Sequence, residues 1–374
     1  MRVALVVHDV SKQRGHDRYV AELASELADR HEVHVFACTC EGVDQTKVRF
    51  HRVPAFRWPD LLKMLSFIVT ATWALRKQRF DIIHTQGVCS LIQNVTTAHF
   101  CQAAWLAVYQ GLDHPDVSRS RQWYHRGVMR IMMALERFVY HPGRSRHIIA
   151  LSEQVKRDLV GWYGRPAETI TAVHNGLNLE EFHPANVARY RSATRAQLGI
   201  PGDTFVLLFV GEFQRKGLRY AIQALVHLPG RGRVLLVVAG DGEARPYREE
   251  AKRLSVAGAV RFVGQRADIN RYYAMSDAVV FPTLYEPFGF TITEGMATGV
   301  PVVTSAGAGA AEVIRDGMDG LLVHNPRDAR EIAGHIHRLM ADPELRARLG
   351  QQGRTRVEGL SWQAFAERVE RIYR

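Results

Sequence analysis

Four stretches in the first half of the chain are apolar without alternation: "RVALVVHDV", "HEVHVFAC", "FDIIHTQG" and "RHIIALS". Unbroken apolar strands are buried on both faces, as in a parallel sheet covered by helices. Between the first two, "RYVAELASELADR" has helical spacing, with Val20, Leu23, Ala24 and Leu27 on one face. Strand, helix, strand predicts a parallel α/β unit. Ser152 is placed to cap a helix starting near Glu153. The pattern restarts after residue 200, with "TFVLLFVGEF", "RVLLVVAGDG", "AVRFVGQ", "AVVFPT" and "PVVTS" as strands and "GLRYAIQALVHL" as a helix. The expectation is an α/β chain of two Rossmann-like, doubly wound parallel-sheet domains, over residues 1–175 and 176–360, with an amphipathic helix at 361–374. Their joint falls near "VHNGLNLEEFHPAN", where Gly176 suits a tight turn and Pro184 interrupts regular structure. Two such sheets in tandem would face a central cleft, and ligands bind outside the carboxyl ends of the strands.

Composition adds a partner class. Of 374 residues, 47% are hydrophobic, enough for two cores, and the formal charge is +11. A basic chain points to an anionic partner: nucleotide, nucleic acid or membrane surface. No nucleic-acid module is recognisable, so no nucleic acid is expected. Residues 1–175 carry +7 and the remainder +4. Within the first half, residues 118–147, "SRSRQWYHRGVMRIMMALERFVYHPGRSRH", set seven arginines against one acid, Glu136, with aromatics and methionines between them. That composition fits a basic amphipathic helix lying on an anionic membrane. "LLKMLSFIVTATWALRKQRF" is a second such stretch, too short to span a bilayer. Both also fit core helices with snorkelling basic ends. Cys38, Cys40, Cys89 and Cys101 lack metal-ligand spacing and read as reduced thiols. The opening apolar run reads as a first strand rather than a secretory leader, which suggests a cytoplasmic location.

The chemistry concentrates in "FPTLYEPFGFTITEGMATGVPVVTS", residues 281–305. Pro287 and Gly289 make Glu286 to Gly289 a loop, and a helix should begin near Phe290 or Thr291. The N-terminal end of a helix attracts anions. Glu294 then lies about one turn in. Each carboxylate can take two hydrogen bonds from a vicinal diol. A phosphate at the helix end with a diol on either side describes a nucleotide-diphosphate sugar. Taken alone, two glutamates at a helix start also fit ordinary dipole compensation.

The segment from Glu286 to Glu294, with Phe-Gly-Phe inside, resembles the signature of retaining glycosyltransferase family 4, which has the GT-B fold. "VGEFQRKGLRYAIQAL", "VVAGDGE", "RFVGQRADINRYYAMSDAVVFPT" and "GVPVVTSAGAGAAEVIRDGMDGLLV" are similar to that family's other landmarks, in order. The resemblance covers the C-terminal half closely and the N-terminal half loosely. It implies a nucleotide-sugar donor held mainly by the second domain, retention of anomeric configuration, and no metal or other cofactor. It implies that Glu286 contacts donor sugar hydroxyls and that Glu294 holds the ribose. Arg215 and Lys216 would bind the diphosphate, where two fixed cations stabilise the leaving group. The N–H groups of Phe288, Gly289, Phe290 and Thr291 would face sugar and diphosphate, and Arg266 would lie where the backbone meets the base. The family often has an arginine where this chain has Glu212, so one cation is absent or comes from elsewhere, with Arg14 and Arg18 as sources. The usual Gly-Gly loop after the first strand is reduced to Gly15, which still opens a helix as an anion nest. His99 matches a family histidine near the donor sugar, and also fits a packed histidine. The last helix would cross back to the first domain.

The expected function is transfer of a sugar, from a UDP-sugar or from GDP-mannose, to a glycolipid or saccharide acceptor at the inner face of the cytoplasmic membrane. The basic first half is similar to that of peripheral family members acting on lipopolysaccharide core. The same chemistry on a small soluble acceptor is the alternative. A non-transferase GT-B enzyme, such as a nucleotide-sugar epimerase, fits the Glu pair and "RKG" less well.

Overall fold

The structure is a computed structural model and describes residues 1–12, 15–56, 58–112, 119–229 and 233–374. It divides into two compact units, Met1–Gly176 with Trp362–Arg374, and Leu177–Ser361.

The first unit begins β1 (Arg2–Val6), β2 (Asp9–Val10), α1 (Gly15–Ala28), β3 (Glu32–Ala37), β4 (Thr39–Cys40), β5 (Val48–Arg52), α2 (Asp60–Arg76) and β6 (Ile82–Gln86). It continues with β7 (Val95–Ala98), α3 (Gln102–Gln110), α4 (Arg119–Val139), β8 (His147–Ala150), α5 (Glu153–Tyr163) and β9 (Ile170–Ala172). Among the described residues a parallel sheet runs β5-β3-β1-β6-β7-β8-β9. Val3 to Val6 are fully buried, as expected of a strand covered on both faces, and α1 turns Val20, Leu23, Ala24 and Leu27 inward. Ser152 caps α5, its hydroxyl accepting from the Val155 N–H at 3.2 Å.

Two expectations change. The apolar run 2–10 is not one strand. It leaves the main sheet after Val6, and Asp9–Val10 pairs instead with Thr39–Cys40. Asp9 finds its partners there, the Thr39 hydroxyl at 2.7 Å and Lys63 at 3.2 Å. Gly176 lies outside any turn and has no left-handed φ. A Cβ on it would lie 2.6 Å from Trp362 Cα, so glycine is needed there for close approach.

The second unit contains α6 (Ala185–Gln197), β10 (Phe205–Val210), α7 (Leu218–Ala224), β11 (Val234–Ala239), α8 (Arg245–Arg253), β12 (Val260–Gly264), α9 (Ile269–Met275) and β13 (Ala278–Phe281). After these come α10 (Phe290–Ala297), β14 (Val302–Ser305), β15 (Leu321–Val323), α11 (Ala329–Ala341) and α12 (Pro343–Val357). Its parallel sheet runs β12-β11-β10-β13-β14-β15 among the described residues. Leu207, Phe209, Leu236, Val238, Val280 and Val303 form the centre of its core. The final helix, α13 (Trp362–Tyr373), packs in the first unit, with Phe365 4.9 Å from the Tyr19 ring.

Each sheet has one place where strand order reverses. In the first it lies between β1 and β6, in the second between β10 and β13. A crevice opens outside the carboxyl ends of strands at such a point.

Candidate functional site

The second switch point is built by two loops, one after β10 and one after β13. Glu212 fixes the first loop: one carboxylate oxygen accepts from the Gln214 N–H at 2.9 Å, the other from the Arg215 N–H at 2.7 Å. Gly217 seats that loop on the second. Its φ is +76°, and a Cβ there would stand 2.0 Å from the Pro282 carbonyl oxygen. The Leu284 N–H donates to the Arg215 carbonyl at 2.9 Å and closes the junction.

This frame brings Arg215, Lys216 and Glu286 together. The Lys216 ammonium bonds Glu286 Oε2. One Arg215 nitrogen reaches the same oxygen at 3.3 Å and the Tyr285 carbonyl at 2.9 Å. The Lys216 side chain is 14% exposed and that of Glu286 9%. Burial works against the Glu286 carboxylate, yet Lys216 and then Arg215 outweigh it and hold its pKa below the usual value. For Lys216 burial wins, and its pKa is lowered despite Glu286.

Helix α10 starts at Phe290, within the expected Phe290–Thr291, after Gly289 at φ +107°. Its first-turn N–H groups are directed out of the end nearest Glu286, the end that carries the positive pole of a helix. The Thr291 hydroxyl donates to the Val210 carbonyl at 3.3 Å and ties this turn to the end of β10. From the other side, Gly309 and Ala310 N–H donate to the carbonyls of Glu286 and Phe288, at 2.8 and 2.6 Å. Glu294 stands one turn into the helix, and its Oε2 accepts from the Tyr273 hydroxyl at 2.8 Å. Tyr273 is buried beside Phe182. Burial, followed by the charge of Glu294, keeps its phenol protonated.

Arg266 follows β12 and forms a fork with Asp268, at 2.9 and 3.1 Å, over the Tyr272 ring. His99 and Gly15 lie in the first unit. His99 follows β7, with Nε2 2.7 Å from Gln86 Oε1 and the Tyr19 ring edge-on at 4.8 Å. Gly15 opens α1. Of the two replacement cations, Arg18 pairs with Glu22 at 3.5 Å, and Arg14 lies outside the described residues. Sequence reasoning missed three supports: Glu212 as a loop clamp, Gly217, and Tyr273. The sharp-turn signal of "RKG" could have exposed Gly217. Nothing local marks Tyr273 as the partner of Glu294.

Of the basic segment 118–147, Ser118 lies outside the described residues and Arg119–Val139 form α4. Glu136 turns inward, accepting from the Gln102 N–H at 3.0 Å and from the Tyr163 hydroxyl. Trp123, Tyr124, Arg130, Ile131, Arg137 and Phe138 are exposed. Helix α2 exposes Leu62, Val69 and Trp73, with Lys77 over the Trp73 ring. Among the described residues no helix is long and apolar enough to cross a membrane.

Comparison with known proteins matches two family models: Glycosyltransferase Family 4 over residues 14–181, and Glycosyl transferases group 1 over residues 191–356. A D-inositol 3-phosphate glycosyltransferase of Streptomyces bingchenggensis is 35% identical over 248 residues, covering 62% of this chain and 53% of that one. The chain thus spans about half the length of that curated relative. Among solved structures, WaaG, a glycosyltransferase involved in lipopolysaccharide biosynthesis, superposes with a TM-score of 0.83 at 22% identity, over 99% of both chains. Anabaena Alr3699/HepE in complex with UDP-glucose superposes at 0.76 with 19% identity, over 100% of this chain and 99% of that one. These likenesses in structure establish the fold as GT-B. With a family 4 model over its first half and a group 1 model over its second, the chain belongs to the GT-B glycosyltransferases of family 4.

Proposed function

We propose that this chain moves a sugar from a nucleotide-diphosphate sugar, a UDP-sugar ahead of GDP-mannose, to a membrane-associated glycolipid or surface-polysaccharide acceptor. The anomeric configuration is retained and no metal takes part. The observation that carries this reading is the cluster of Lys216 and Arg215 on Glu286, at the N-terminal end of α10 and at a switch point of the sheet. A diphosphate placed there would share both cations with Glu286, leaving carboxylate lone pairs for sugar hydroxyls. Charge growing on the departing diphosphate meets fixed cations and a helix end, which do not have to reorganise. In a front-face transfer the bond from the anomeric carbon to the phosphate oxygen breaks. The bond to the acceptor oxygen forms on the same side, and the acceptor's proton passes to the departing phosphate oxygen. Glu294, held by Tyr273, takes the ribose diol.

The neighbour solved with UDP-glucose supports a UDP donor. WaaG, involved in lipopolysaccharide biosynthesis, supports a saccharide acceptor. The outward aromatics and arginines of α4 support docking at an anionic membrane from the cytoplasmic side. A second reading, transfer to a small soluble acceptor, draws on the D-inositol 3-phosphate relative.

Calorimetric titration with UDP, GDP, ADP and their sugar conjugates, without metal, tests the donor site. One nucleotide series should bind, and lose binding in Lys216→Ala and Glu294→Ala. Equal binding by wild type and both variants would remove the basis of the reading. Sedimentation with phosphatidylglycerol vesicles, against neutral ones, separates the two acceptor classes.

A further inference from the structure

We propose that Tyr273 makes the donor site selective for ribonucleotides over 2′-deoxyribonucleotides, acting as a positioning residue for Glu294. This rests on the reading that Glu294 takes the ribose diol. The Tyr273 hydroxyl donates to Glu294 Oε2 at 2.8 Å, reaching from α9 to a residue one turn into α10. Both residues lie within the second unit. Tyr273 is fully buried and Glu294 only half-buried. The carboxylate is thus gripped from within the fold while part of its side chain stays accessible.

The grip is rigid because α9 is pinned. Arg195 donates to the Met275 carbonyl at 2.9 Å, and Arg191 to the Ser276 carbonyl at 3.0 Å. Both arginines also bind the Asp277 carboxylate, Arg195 at 2.7 Å and Arg191 at 2.5 Å. Met275 is the last residue of α9, two positions past Tyr273. The Tyr273 ring itself meets buried Phe182 edge-on at 5.7 Å. A buried phenol has a polar tip that needs a partner. Phenylalanine would fill the same space without that need, so packing gives no reason for the hydroxyl. Its bond to Glu294 does.

The kind of grip matters as much as its stiffness. Glu286 is held by two cations, Lys216 and Arg215. Tyr273 gives Glu294 a hydrogen bond and no charge, so this grip leaves the carboxylate an anion suited to neutral hydroxyl donors. A carboxylate that could swing away would turn to water whenever a ligand lacked one hydroxyl, and the loss would be small. Held by Tyr273, it stays aimed at the place of the missing hydroxyl. A 2′-deoxy nucleotide then desolvates a charged acceptor without replacing its bond, which is the costly case. Selectivity comes from the grip and not from the carboxylate alone.

The test is calorimetric titration of the full chain with UDP and 2′-deoxy-UDP, and in parallel with GDP and 2′-deoxy-GDP. The ribonucleotide that binds wild type should bind about 10- to 100-fold more tightly than its deoxy form. Tyr273→Phe, which keeps the ring, should cut that preference to about threefold by weakening the ribonucleotide and sparing the deoxy form. The double variant with Glu294→Ala should bind as Glu294→Ala does, because both changes remove one interaction. Equal binding of the two forms by wild type, or a wild-type preference in Tyr273→Phe, overturns the proposal. So does an equal loss for both forms, the mark of a merely structural tyrosine. If Tyr273→Phe does not fold, Arg191→Ala takes its place: it removes pins on α9, keeps the hydroxyl, and should lower the preference. An unchanged preference there also overturns the proposal. Failure of all four nucleotides to bind, or unchanged binding in Glu294→Ala, ends the ribose reading and the inference with it. Loss in Glu294→Ala with the preference kept in Tyr273→Phe ends the inference alone.

Discussion

Replacing Lys216 with methionine tests the charge arrangement at the second switch point. Methionine keeps an apolar stem beneath Gly211, whose Cβ position lies 3.2–3.4 Å from the lysine stem, and removes only the ammonium. Glu286, 9% exposed at the side chain, then has Arg215 at 3.3 Å as its cationic partner. Breaking a buried ion pair by removing one partner costs roughly 3–5 kcal/mol when nothing takes its place. Arg215 stays, so the expected loss is about 2–3 kcal/mol, or roughly 4–12 °C in the Tm of a unit this size. The carboxyl can relieve the cost by taking up a proton, because its pKa rises once Lys216 is gone. The deficit should therefore be full at neutral pH and shrink as pH falls toward the ordinary value of 4.5. Urea unfolding at pH 5 and pH 7.5, with nucleotide calorimetry in parallel, provides the assay. Adding Glu286→Gln should return most of the stability and none of the nucleotide binding. A single variant as stable as wild type at pH 7.5, or one that binds nucleotide as tightly, would refute the reasoning.

Other outcomes follow from the same geometry. Glu136 is buried, and burial, offset in part by Tyr163 and the Gln102 N–H, pushes its carboxyl up from 4.5 to about 7. The folded chain thus holds this proton more tightly than the unfolded one, so stability is lost as pH rises from 4.5 to about 7, by roughly 3 kcal/mol. Glu136→Gln should remove that slope in melts across pH 4.5–8, and an unchanged slope would contradict the assignment. Gly217→Ala forces a Cβ to 2.0 Å from Pro282 oxygen at a left-handed φ. It should cost at least about 2 kcal/mol in urea unfolding and weaken donor binding along with stability. Glu294→Ala should mainly weaken nucleotide affinity, whereas Glu286→Ala should mainly slow transfer; binding and single-turnover assays showing wild-type values for both would end that division of roles.

Much of the second unit was legible in the sequence because its signals are local. "TFVLLFVGEF" and "AVVFPT" are unbroken apolar runs ending in turn residues, and both are strands. Pro287 and Gly289 placed the start of α10 near Phe290 or Thr291, and it begins at Phe290, since one restricts φ and the other permits +107°. The first unit was harder. β5, "VRFHR", carries little apolar signal, and His51 on it pairs with His34 across the strands at 2.8 Å. β7, "VTTA", is half threonine, and those hydroxyls are satisfied by neighbours the pattern does not reveal.

The sequence by itself determined two parallel α/β units, the loop-to-helix break at Gly289, the position of Glu294 one turn into the helix, and an excess of cations. Backbone conformational limits and apolar runs are short-range properties, readable in a window of ten residues. Tertiary structure decided what those residues do to each other. It set Lys216 against Glu286, 70 positions apart, and made Glu212 a clamp on backbone N–H groups. It turned Glu136 inward, leaving exposed arginines and aromatics on α4. It brought the amide of Gln86 to the imidazole of His99. Hydrogen bonds and ion pairs act over about 3 Å in space whatever the distance along the chain, so only the folded sheet could choose the partners.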